Sequence, residues 1–398
     1  MKIQKAISIS AGRTGEGIRS DCFVQFTVTK KDGIKIELHS KVASLYGHSI
    51  RTLVADVVHS YGIINAIVKI DDRGAVPFVL AARVETAVKR AFPEQEKAYY
   101  TDNKITARVN IIDRLRRTRL YLPGNEPHYF LNAALHKPDA VILDLEDSVA
   151  PSEKDAARIL VRNALRTVDF GTSERMVRIN PFPLGKKDLQ EIVSTNVETI
   201  LIPKCESALH IQSVEDEIEK CLKRHNRQHQ IFLLPIIESA LGVERAFEIA
   251  TASKNICALA IGLEDYTADI GVERTKKGNE SLFARSAIIN AAKAAGVQAL
   301  DSVFSDVNDE EGLRQSVSEA KAIGFEGKGC IHPRQIKIIH NAFLPSPAEI
   351  DYARRIIEAY YTAKASGNGV VALGSKMIDP PVVKRAEKIL MLANTNTR

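Results

Sequence analysis

The sequence predicts a (β/α)8 barrel preceded by a small α+β domain, on the strength of three observations. Between residues 112 and 345, eight short apolar runs alternate with helix-like segments, and most of the runs end in a charged or polar residue. Residues 1–95 follow a different rhythm, which is typical of a separate unit. The eight runs are RRTRLYLPG, AVILDLED, MVRIN, TILIPK, IFLLPIIES, ALAIGLED, QALDSV and GKGCIH. Because the carboxyl ends of barrel strands converge on one mouth, we expect the residues that end these runs to share a site.

Composition limits the classes of protein to which the chain can belong. It has 398 residues, 45% of them hydrophobic, which is enough for a large core and for more than one domain. The formal net charge of +6 is modest, and the lysines and arginines are spread among acidic residues. We therefore expect no nucleic-acid partner, whereas the small positive excess favours an anionic substrate.

Cysteine usage and hydropathy indicate the compartment. The five cysteines are an odd number with no C-x-x-C pair, which argues against a disulfide framework and a zinc knuckle. Such usage is typical of a reducing cytoplasm. The amino-terminal stretch MKIQKAISIS lacks a long apolar core, and no stretch reaches the ~18 apolar residues of a membrane span. We expect a cytoplasmic protein with no membrane partner.

The first domain is predicted over residues 1–95 as an α+β unit. Apolar residues on both sides of the turn Lys30–Gly33 predict a β-hairpin. A helix (HSIRTLVADVVHSYG), a strand (NAIVKIDD) and a closing helix (PFVLAARVETAVKRAF) follow. Residues 96–111 are mainly polar and predict a linker, so the barrel is expected over residues 112–345.

Residues 346–398 predict a carboxyl-terminal helix followed by a tail. The helix AEIDYARRIIEAYYTAKA leads into Ser366–Gly369 and then into GSKMIDPPVVKRAEKIL. Glycines ahead of Asp379 are typical of a hinged segment that folds over a site. A plain docking helix explains the same pattern, and the residues alone favour it.

Two carboxylates end successive predicted strands, Glu238 in PIIES and Asp265 in GLED. Adjacent barrel strands would bring them close enough to share a cation. Oxygen ligands with no nearby histidine or cysteine favour Mg²⁺, which takes one or two carboxylates and leaves positions for substrate. The alternative is that each carboxylate caps the helix that follows it.

Further charged residues end other strands. Arg178 in VRINP can hold a substrate carboxylate or stabilise an oxyanion, or pair with acids at the end of AVILDLED, and both can hold at once. Glu146 and Asp147 can orient metal-bound water, or they can begin the next helix. Arg117, together with Lys204 and Lys328, is a weaker candidate for binding phosphate or carboxylate. His332 more often has a structural role.

Six motifs, in this order, closely resemble those of the citrate lyase β-subunit family, also called the HpcH/HpaI or citryl/malyl-CoA lyase group. They are RRTRLYLPG, VILDLEDSV, VRINP, PIIES, GLEDYTADIG and GFEGKGCIHPRQI, and the match covers most of residues 112–390. The first domain is similar to the acyl carrier protein of citrate lyase over KIDDRGAVPFVLAARVETAVKRA, a shorter match. The chain thus resembles a fusion of the carrier and lyase subunits.

This resemblance implies roles for the candidate residues. The family's Mg²⁺ ligands correspond to Glu238 and Asp265, and the arginine that binds the keto-acid portion corresponds to Arg178. Arg117 is implied to lie near the thioester or cofactor end. KMIDPP resembles the lid motif of CoA-dependent members, whose aspartate reaches a neighbouring subunit's site. The resemblance therefore implies that Asp379 is an acid/base residue in a lid, and that the chain forms a homo-oligomer.

One position departs from the carrier pattern. In that family, a serine two residues before an aspartate carries a phosphoribosyl-dephospho-CoA group. Here the segment reads GIRSDC, so Arg19 occupies that position and Ser20 adjoins Asp21. Ser20 becomes the attachment residue if the register shifts by one. Otherwise the domain is a degenerate carrier retained for structure or docking.

The activity implied by the resemblance is Mg²⁺-dependent cleavage of a carbon–carbon bond by retro-Claisen chemistry. The substrate is a 3-hydroxy-3-carboxy acyl thioester of the citryl, citramalyl or malyl type, on CoA or on a prosthetic arm. The products are an acyl thioester and a 2-keto acid. One alternative is a thioesterase or aldolase for a CoA ester unrelated to citrate. Another is an inactive barrel that docks an acyltransferase subunit similar to the citrate lyase α-subunit.

Overall fold

The amino-terminal part of the chain forms a four-stranded sheet with two helices. The structure is a computed structural model that describes residues 8–102, 108–365, 371–373 and 376–395. Its first elements are β1 (Ser8–Gly12), β2 (Cys22–Val28), β3 (Ile34–Ser40), α1 (Ala43–Ser60), β4 (Ala66–Asp72) and α2 (Pro77–Ala91). Buried positions alternate along β2 and β4, because one face of the sheet packs on the helices.

The strand order β1-β2-β4-β3 shows that the predicted hairpin is wrong. Strand β4 lies between β2 and β3, antiparallel to β2 and parallel to β3. The turn Lys30–Gly33 separates two strands that do not pair with each other. The pairing is decided instead by the helical crossover through α1, since a parallel strand pair needs such a connection.

Eight parallel strands close into a barrel, which confirms the predicted fold class. They are β5 (Thr118–Pro123), β6 (Ala140–Asp144), β7 (Glu174–Arg178), β8 (Thr199–Ile202), β9 (Phe232–Ile237), β10 (Ala258–Ile261), β11 (Gln298–Asp301) and β12 (Gly327–Cys330). Neighbours in sequence are neighbours in the barrel, and β12 closes it on β5. Seven of the eight predicted apolar runs contain one of these strands, and the eighth, MVRIN, overlaps β7.

Helices surround the barrel, as strongly apolar parallel strands require. They are α3 (Pro127–Leu131), α4 (Lys154–Thr167), α5 (Leu184–Ile192), α6 (Ala208–Arg224), α7 (Ala240–Glu244), α8 (Ala246–Ala250), α9 (Leu263–Asp269), α10 (Leu282–Ala294), α11 (Glu310–Ile323) and α12 (Arg334–Phe343). Short 3₁₀ turns at Ala133–His136, Pro151–Glu153 and Asn279–Ser281 complete the connections.

The barrel interior is apolar at mid-height and polar at both ends. Side chains such as Ile142 and Leu234 fill the centre. Near the amino-terminal ends of the strands, the buried Arg116 donates through Nε and Nη2 to both oxygens of Glu174, at 2.8 and 3.0 Å. This closed end is the stable face of such a barrel, so chemistry is expected at the opposite end.

Helix α2 belongs to two cores at once. Residues 78–88 are buried without interruption. Phe78 and Val79 pack in the large core formed by the barrel and its helices, whereas Leu80 and Val84 pack in the core of the amino-terminal sheet. Burial of a large apolar side chain contributes about 1.5–3 kcal/mol. Helix α2 therefore joins the first domain firmly to the barrel, mainly through α4.

The carboxyl-terminal part forms a small unit of its own. Helix α13 (Pro347–Ala365) is followed by β13 (Val371–Leu373), β14 (Lys376–Ile378) and α14 (Pro380–Thr395). The two strands pair antiparallel, and α13 packs on α14 around buried Ile356 and Ile378. The predicted hinge Ser366–Gly369 lies outside the described residues. In the described parts of the chain, every helix is too short or too polar to span a bilayer.

Candidate active site at the barrel mouth

The carboxyl ends of the barrel strands enclose a pocket of about 440 Å³. Its charged lining residues are Arg119, Asp144, Asp147, Arg178, Glu238, Glu264, Asp265 and Asp301. Four residues predicted from the sequence, Asp147, Arg178, Glu238 and Asp265, thus share one pocket. Glu146, the fifth, contacts Arg178 from the pocket wall at 2.9 Å.

Arg178, at the end of β7, is held by carboxylates that follow β6. Its Nε and Nη2 atoms donate to the two oxygens of Asp144 at 2.7 Å each, and Nη1 lies 2.9 Å from Glu146. The guanidinium also lies 5.3 Å from the ring centre of Tyr121. Burial alone would raise the pKa of Asp144, but the hydrogen bonds and charge of Arg178 lower it. The cation is therefore fixed in orientation at the pocket, where it can meet an anionic substrate group.

Lys204, just after β8, places an ammonium group among three carboxylates. Its Nζ atom lies 2.9 Å from Glu146 Oε1, 3.6 Å from Asp147 Oδ1 and 3.8 Å from Asp265 Oδ2. Burial would lower the pKa of Lys204, but the hydrogen bond and charge of Glu146 raise it. The residue has a left-handed backbone, with φ of 49°. Its ammonium group is a cation at a point where acidic side chains converge.

Glu238, after β9, is buried without a side-chain counter-ion. It is only 7% exposed, and its Oε2 accepts the backbone N–H of Lys204 at 2.9 Å. Among the described residues, no lysine or arginine side chain is within ion-pair distance of its carboxylate. Burial raises the pKa of Glu238 to about 7. A nearby cation would stabilise the ionised form of this buried carboxylate, so the position is suited to binding one.

Gly262 makes the space in which the Glu238 carboxylate lies. A Cβ atom at Gly262 would stand 2.5 Å from Oε1 and 2.6 Å from Cγ of Glu238. Such distances are too short for any side chain at this position. Glycine at the end of β10 is therefore a requirement of the site.

Helix capping does not account for Glu238. The helix after it, α7, is capped by Ser239, whose Oγ accepts the N–H of Gly242 at 3.1 Å. Asp265 lies in the first turn of α9, where a negative charge is favourable, but its half-exposed side chain also lines the pocket. The alternative of capping thus fits Asp265 in part and Glu238 not at all.

The donor atoms at this point suit a hard divalent cation. Glu238 and Asp265 offer carboxylate oxygens, and the described residues contain no cluster of three or more histidine, cysteine, aspartate or glutamate side chains suited to a metal. Mg²⁺ needs only one or two protein carboxylates, since water and substrate complete its shell. The buried, unpaired carboxylate of Glu238 in a space kept open by Gly262 fits this ion.

Arg117 is not at the mouth. It precedes the first residue of β5 and donates through Nε and Nη2 to Asp139 at 2.9 Å each. Because the strand runs from there towards the mouth, Arg117 lies at the far end from the pocket. The structure does not bring it together with Arg178 or Glu238.

Arg119 is the arginine of the same motif that lines the pocket. It is 1% exposed, its Nη2 donates to the Asp301 carbonyl at 2.7 Å, and its Nε has no partner among the described residues. It is not among the residues predicted from the sequence. The alternation of β5 puts Arg119 and Tyr121 on one face of the strand, but it does not separate Arg119 from Arg117.

Two other weak candidates have structural partners. Lys328 is buried and its Nζ lies 2.7 Å from Asp301 Oδ2. His332 accepts the N–H of Arg334 through Nδ1 at 3.2 Å, at the start of α12. Neither is among the residues that line the pocket. Both therefore support the fold around the site.

Asp379 stands away from the pocket of its own chain. It lies between β14 and α14, and its Oδ1 accepts the N–H of Val382 at 3.1 Å. It does not line the mouth pocket. The implied role in a neighbouring subunit's site stays a prediction.

Ser20 lies on a segment that contacts the loop after β5. The next residue, Asp21, is fully buried and accepts from Nε and Nη2 of Arg83 at 2.8 Å each. Nη2 of Arg83 also donates to the carbonyl of Asn125, 3.2 Å away. Arg13 forms an ion pair with Glu126 in the same loop. Since this loop follows the carboxyl end of β5, Ser20 is on the mouth side of the barrel.

Comparisons with known proteins agree with this architecture. Residues 117–333 match the family described as HpcH/HpaI aldolase/citrate lyase. Residues 11–91 match the family described as malonate decarboxylase delta subunit (MdcD). The two matches together span the amino-terminal domain and the barrel.

Individual relatives match about 70% of the chain. The citrate lyase subunit beta of Leuconostoc mesenteroides subsp. cremoris is 42% identical over 287 residues, which is 71% of this chain and 95% of that protein. The mitochondrial citramalyl-CoA lyase of Rattus norvegicus is 34% identical over 70% of this chain and 86% of its own length. The structure of the protein CitE from Mycobacterium tuberculosis, in complex with magnesium, acetoacetate and coenzyme A, aligns with a TM-score of 0.60. It is 32% identical and covers 71% of this chain and 100% of its own.

Proposed function

The chain belongs to the HpcH/HpaI aldolase/citrate lyase family, and on that premise we propose that it cleaves a 3-hydroxy-3-carboxy acyl thioester by retro-Claisen chemistry. The enzyme is a lyase, as its relatives are. The products are an acyl thioester and a 2-keto acid. The convergence of Glu238, Asp265 and Arg178 on one pocket is the observation that supports this proposal best.

Glu238 and Asp265 hold Mg²⁺ in this proposal. When bound, Mg²⁺ acts as a Lewis acid on the carboxylate and hydroxyl oxygens of the substrate. The two side chains come from the ends of adjacent strands, β9 and β10, which pair in parallel. Gly262 keeps the Glu238 carboxylate in place, and its burial leaves it in need of a cation.

Arg178 binds the keto-acid end of the substrate. Its guanidinium is already held in place by Asp144 and Glu146, so the side chain loses little conformational freedom when substrate binds. As the bond between C2 and C3 breaks, the carboxylate of Asp379 from a neighbouring subunit accepts the hydroxyl proton, and C3 becomes a ketone beside its carboxylate. The guanidinium of Arg178 stabilises the negative charge on these oxygens.

The electron pair of the broken bond moves to C2 and forms a thioester enolate, which needs one proton. Asp379 returns to C2 the proton that it accepted from the hydroxyl. We assign this residue to a neighbouring subunit, because it does not line its own chain's pocket. A homo-oligomer is therefore part of the proposal. An acyltransferase subunit would be a further partner, for which the amino-terminal domain is the natural docking surface.

The decisive experiment is an assay of keto-acid release from citryl-, citramalyl- and malyl-CoA, with and without Mg²⁺. We expect release from at least one substrate that stops with EDTA, and that falls at least about 100-fold in Glu238→Gln. Glu244→Gln, an exposed glutamate in the next helix, is the matched control. Release of free CoA without a keto acid would point to a thioesterase, and activity of Glu238→Gln equal to wild type would overturn the metal assignment.

The state of Ser20 decides which thioester is used. We expect the intact mass of protein from its native host to match the bare chain, with turnover of free CoA esters, because Arg19 occupies the carrier position. An added phosphoribosyl-dephospho-CoA mass on Ser20 would instead mean that the chain acts on its own acyl arm. Mixing Asp379→Asn with Glu238→Gln protein tests the shared site, since only complementing subunits regain activity.

A further inference from the structure

A second cavity, of about 740 Å³, lies outside the barrel, where α2 and the segment after it face helices α4, α5 and α6. It shares no lining residue with the mouth pocket. Eight lysines and arginines and two glutamates line it. They are Lys89, Lys97, Arg158, Arg162, Arg166, Lys187, Arg224, Arg227, Glu96 and Glu191. We call this space the basic cavity.

Arg166, in the last turn of α4, is buried in its wall with an incomplete set of partners. The residue is 4% exposed, and its Nη2 donates to Ser194 Oγ at 2.7 Å. Its Nε and Nη1 have no acceptor among the described residues. A buried cation without an acceptor is costly, so native proteins rarely leave one in this state.

Arg158, two turns earlier in α4, repeats the pattern. It is 8% exposed and its Nε donates to Asp188 at 2.7 Å, while its Nη2 has no described acceptor. Both arginines lie on the helix face that lines the basic cavity. Two guanidinium groups in the wall of this cavity therefore have donors that no described protein atom accepts.

The acids nearby are already engaged. Glu191 accepts from Lys89 Nζ at 2.9 Å and from Arg162 Nη1 at 2.7 Å. Glu85, which is buried next to the cavity lining, accepts hydrogen bonds from both terminal nitrogens of Arg162. The charge of Arg166 is not balanced by these pairs. Burial and the neighbouring Arg162 lower the pKa of Arg166 to about 10, as expected for a cation that lacks an anion.

The chemistry of the lining selects the ligand class. Arginine forks match phosphate and carboxylate oxygens in two-pronged contacts. The described lining contains no phenylalanine, tyrosine or tryptophan on which a nucleobase would stack. The volume exceeds the needs of a single orthophosphate, and several cations face it from different helices.

From this geometry we propose that the basic cavity is a binding site for a small anion with two or more phosphate groups. The anion lies between the chain segment 93–101 and the faces of α4 and α6 that line the basic cavity, and it accepts from Arg158 and Arg166. The basic cavity shares no lining residue with the mouth pocket, so the site is distinct from that of Arg178 and Glu238. It is independent of the lyase proposal.

Bound anion ties the segment after α2 to the barrel. Lys89 and Lys97 reach the basic cavity from the amino-terminal side, and Arg166 and Arg224 reach it from the barrel helices. An anion that contacts both sides strengthens the junction of the two domains. Its source is either a free oligophosphate or the phosphate groups of a larger metabolite.

The test uses the full chain with inorganic pyrophosphate and tripolyphosphate as probes, orthophosphate as comparator, and EDTA throughout. We expect one pyrophosphate per chain by calorimetry and a rise in Tm of roughly 2 °C or more at a 100-fold excess over Kd. Trypsin cleavage after Lys97 should slow at least threefold. A sugar bisphosphate that binds more tightly than pyrophosphate would assign the phosphates to a larger metabolite.

Variants separate the basic cavity from other cations. Arg166→Gln should lose the pyrophosphate shift while its own Tm without anion is not below wild type, because an unpaired buried charge is removed. Arg224→Gln, at the exposed rim, should weaken binding several-fold without affecting folding. Lys220→Gln, an exposed lysine of α6, and Arg178→Lys, at the mouth, should bind as wild type does. The proposal is overturned if pyrophosphate does not bind, or if Arg166→Gln and Arg224→Gln bind it unchanged.

Discussion

The Glu238 carboxylate lies against Gly262 so closely that a Cβ atom at Gly262 would stand 2.5 Å from Oε1. One strand end thus supplies the carboxylate and the next supplies the space for it. Because glycine has no side chain, the carboxylate of Glu238 has room to lie buried beside the pocket.

Replacing Gly262 with alanine should displace Glu238 and weaken Mg²⁺ binding. The added methyl group leaves no room for the carboxylate in its present position, while the apolar barrel core is untouched. We expect Mg²⁺ affinity to fall about 10- to 100-fold, as for other changes around metal ligands, measured by calorimetry. Gly47→Ala, in the second turn of α1, is the control and should bind Mg²⁺ normally. Unchanged affinity in Gly262→Ala would show that Glu238 is not a ligand.

Arg178→Lys should retain Mg²⁺ binding and lose activity. Lysine cannot make the two-pronged contact with Asp144, so the positive charge is no longer fixed at the substrate. We expect kcat/KM to fall about 100-fold or more, with Mg²⁺ affinity changed less than about threefold. Arg314→Lys, an exposed position in α11, controls for the substitution type. A loss of Mg²⁺ binding equal to the loss of activity would contradict the assignment.

Lys204→Met should tighten Mg²⁺ binding. The ammonium group lies 3.8 Å from Asp265 and 2.9 Å from Glu146, so it competes with a divalent cation for Asp265 and places a like charge beside the site. The backbone N–H that binds Glu238 is retained in the variant. We expect Kd for Mg²⁺ to decrease about three- to tenfold by calorimetry at low salt. Lys223→Met, on the surface of α6, should leave it unchanged, and a weaker Kd in Lys204→Met would mean that the ammonium group supports the site.

The ion pairs of Glu191 should make the free energy of unfolding depend on pH. Burial alone would raise the pKa of this carboxyl, but Arg162 and Lys89 lower it to about 2, from an ordinary value of 4.5. Its contribution is therefore complete above about pH 5 and is lost as pH falls through 4.5 towards 2. We expect Glu191→Gln to lower the free energy of unfolding by about 2 kcal/mol at pH 6, with the difference vanishing near pH 2. Denaturant titrations at several pH values, with exposed Glu219→Gln as control, measure this, and a difference that does not change with pH would contradict it.

The barrel could be predicted from the sequence because its signals are local. Each strand is a short apolar run, and the residue that ends it reaches the mouth, as Arg178 and Glu238 do. The pairing of β2, β3 and β4 could not be read in this way. The turn at Lys30–Gly33 resembles a hairpin turn, but which strand lies beside which is decided by α1 and by contacts far apart in sequence.

The arginines of the first barrel motif show a similar limit. Arg117 and Arg119 are two residues apart, so the alternation of an extended chain places both on the same side and gives no reason to prefer one. Their difference is height along the strand. Arg117 meets Asp139 at the closed end, whereas Arg119 reaches the pocket. The position of a residue along the barrel axis is known only when the register of β5 with β12 and β6 is known.

The burial of α2 has a consequence for how the chain would deliver an acyl group. A swinging carrier must leave one partner to visit another, and this one shares a helix with the barrel core and anchors Asp21 through Arg83 to the loop at Asn125. Anything attached to Ser20 would therefore travel only within the radius of its own tether. In this molecule, the length of the attached group, and not movement of the domain that bears it, would decide which sites an acyl group can visit.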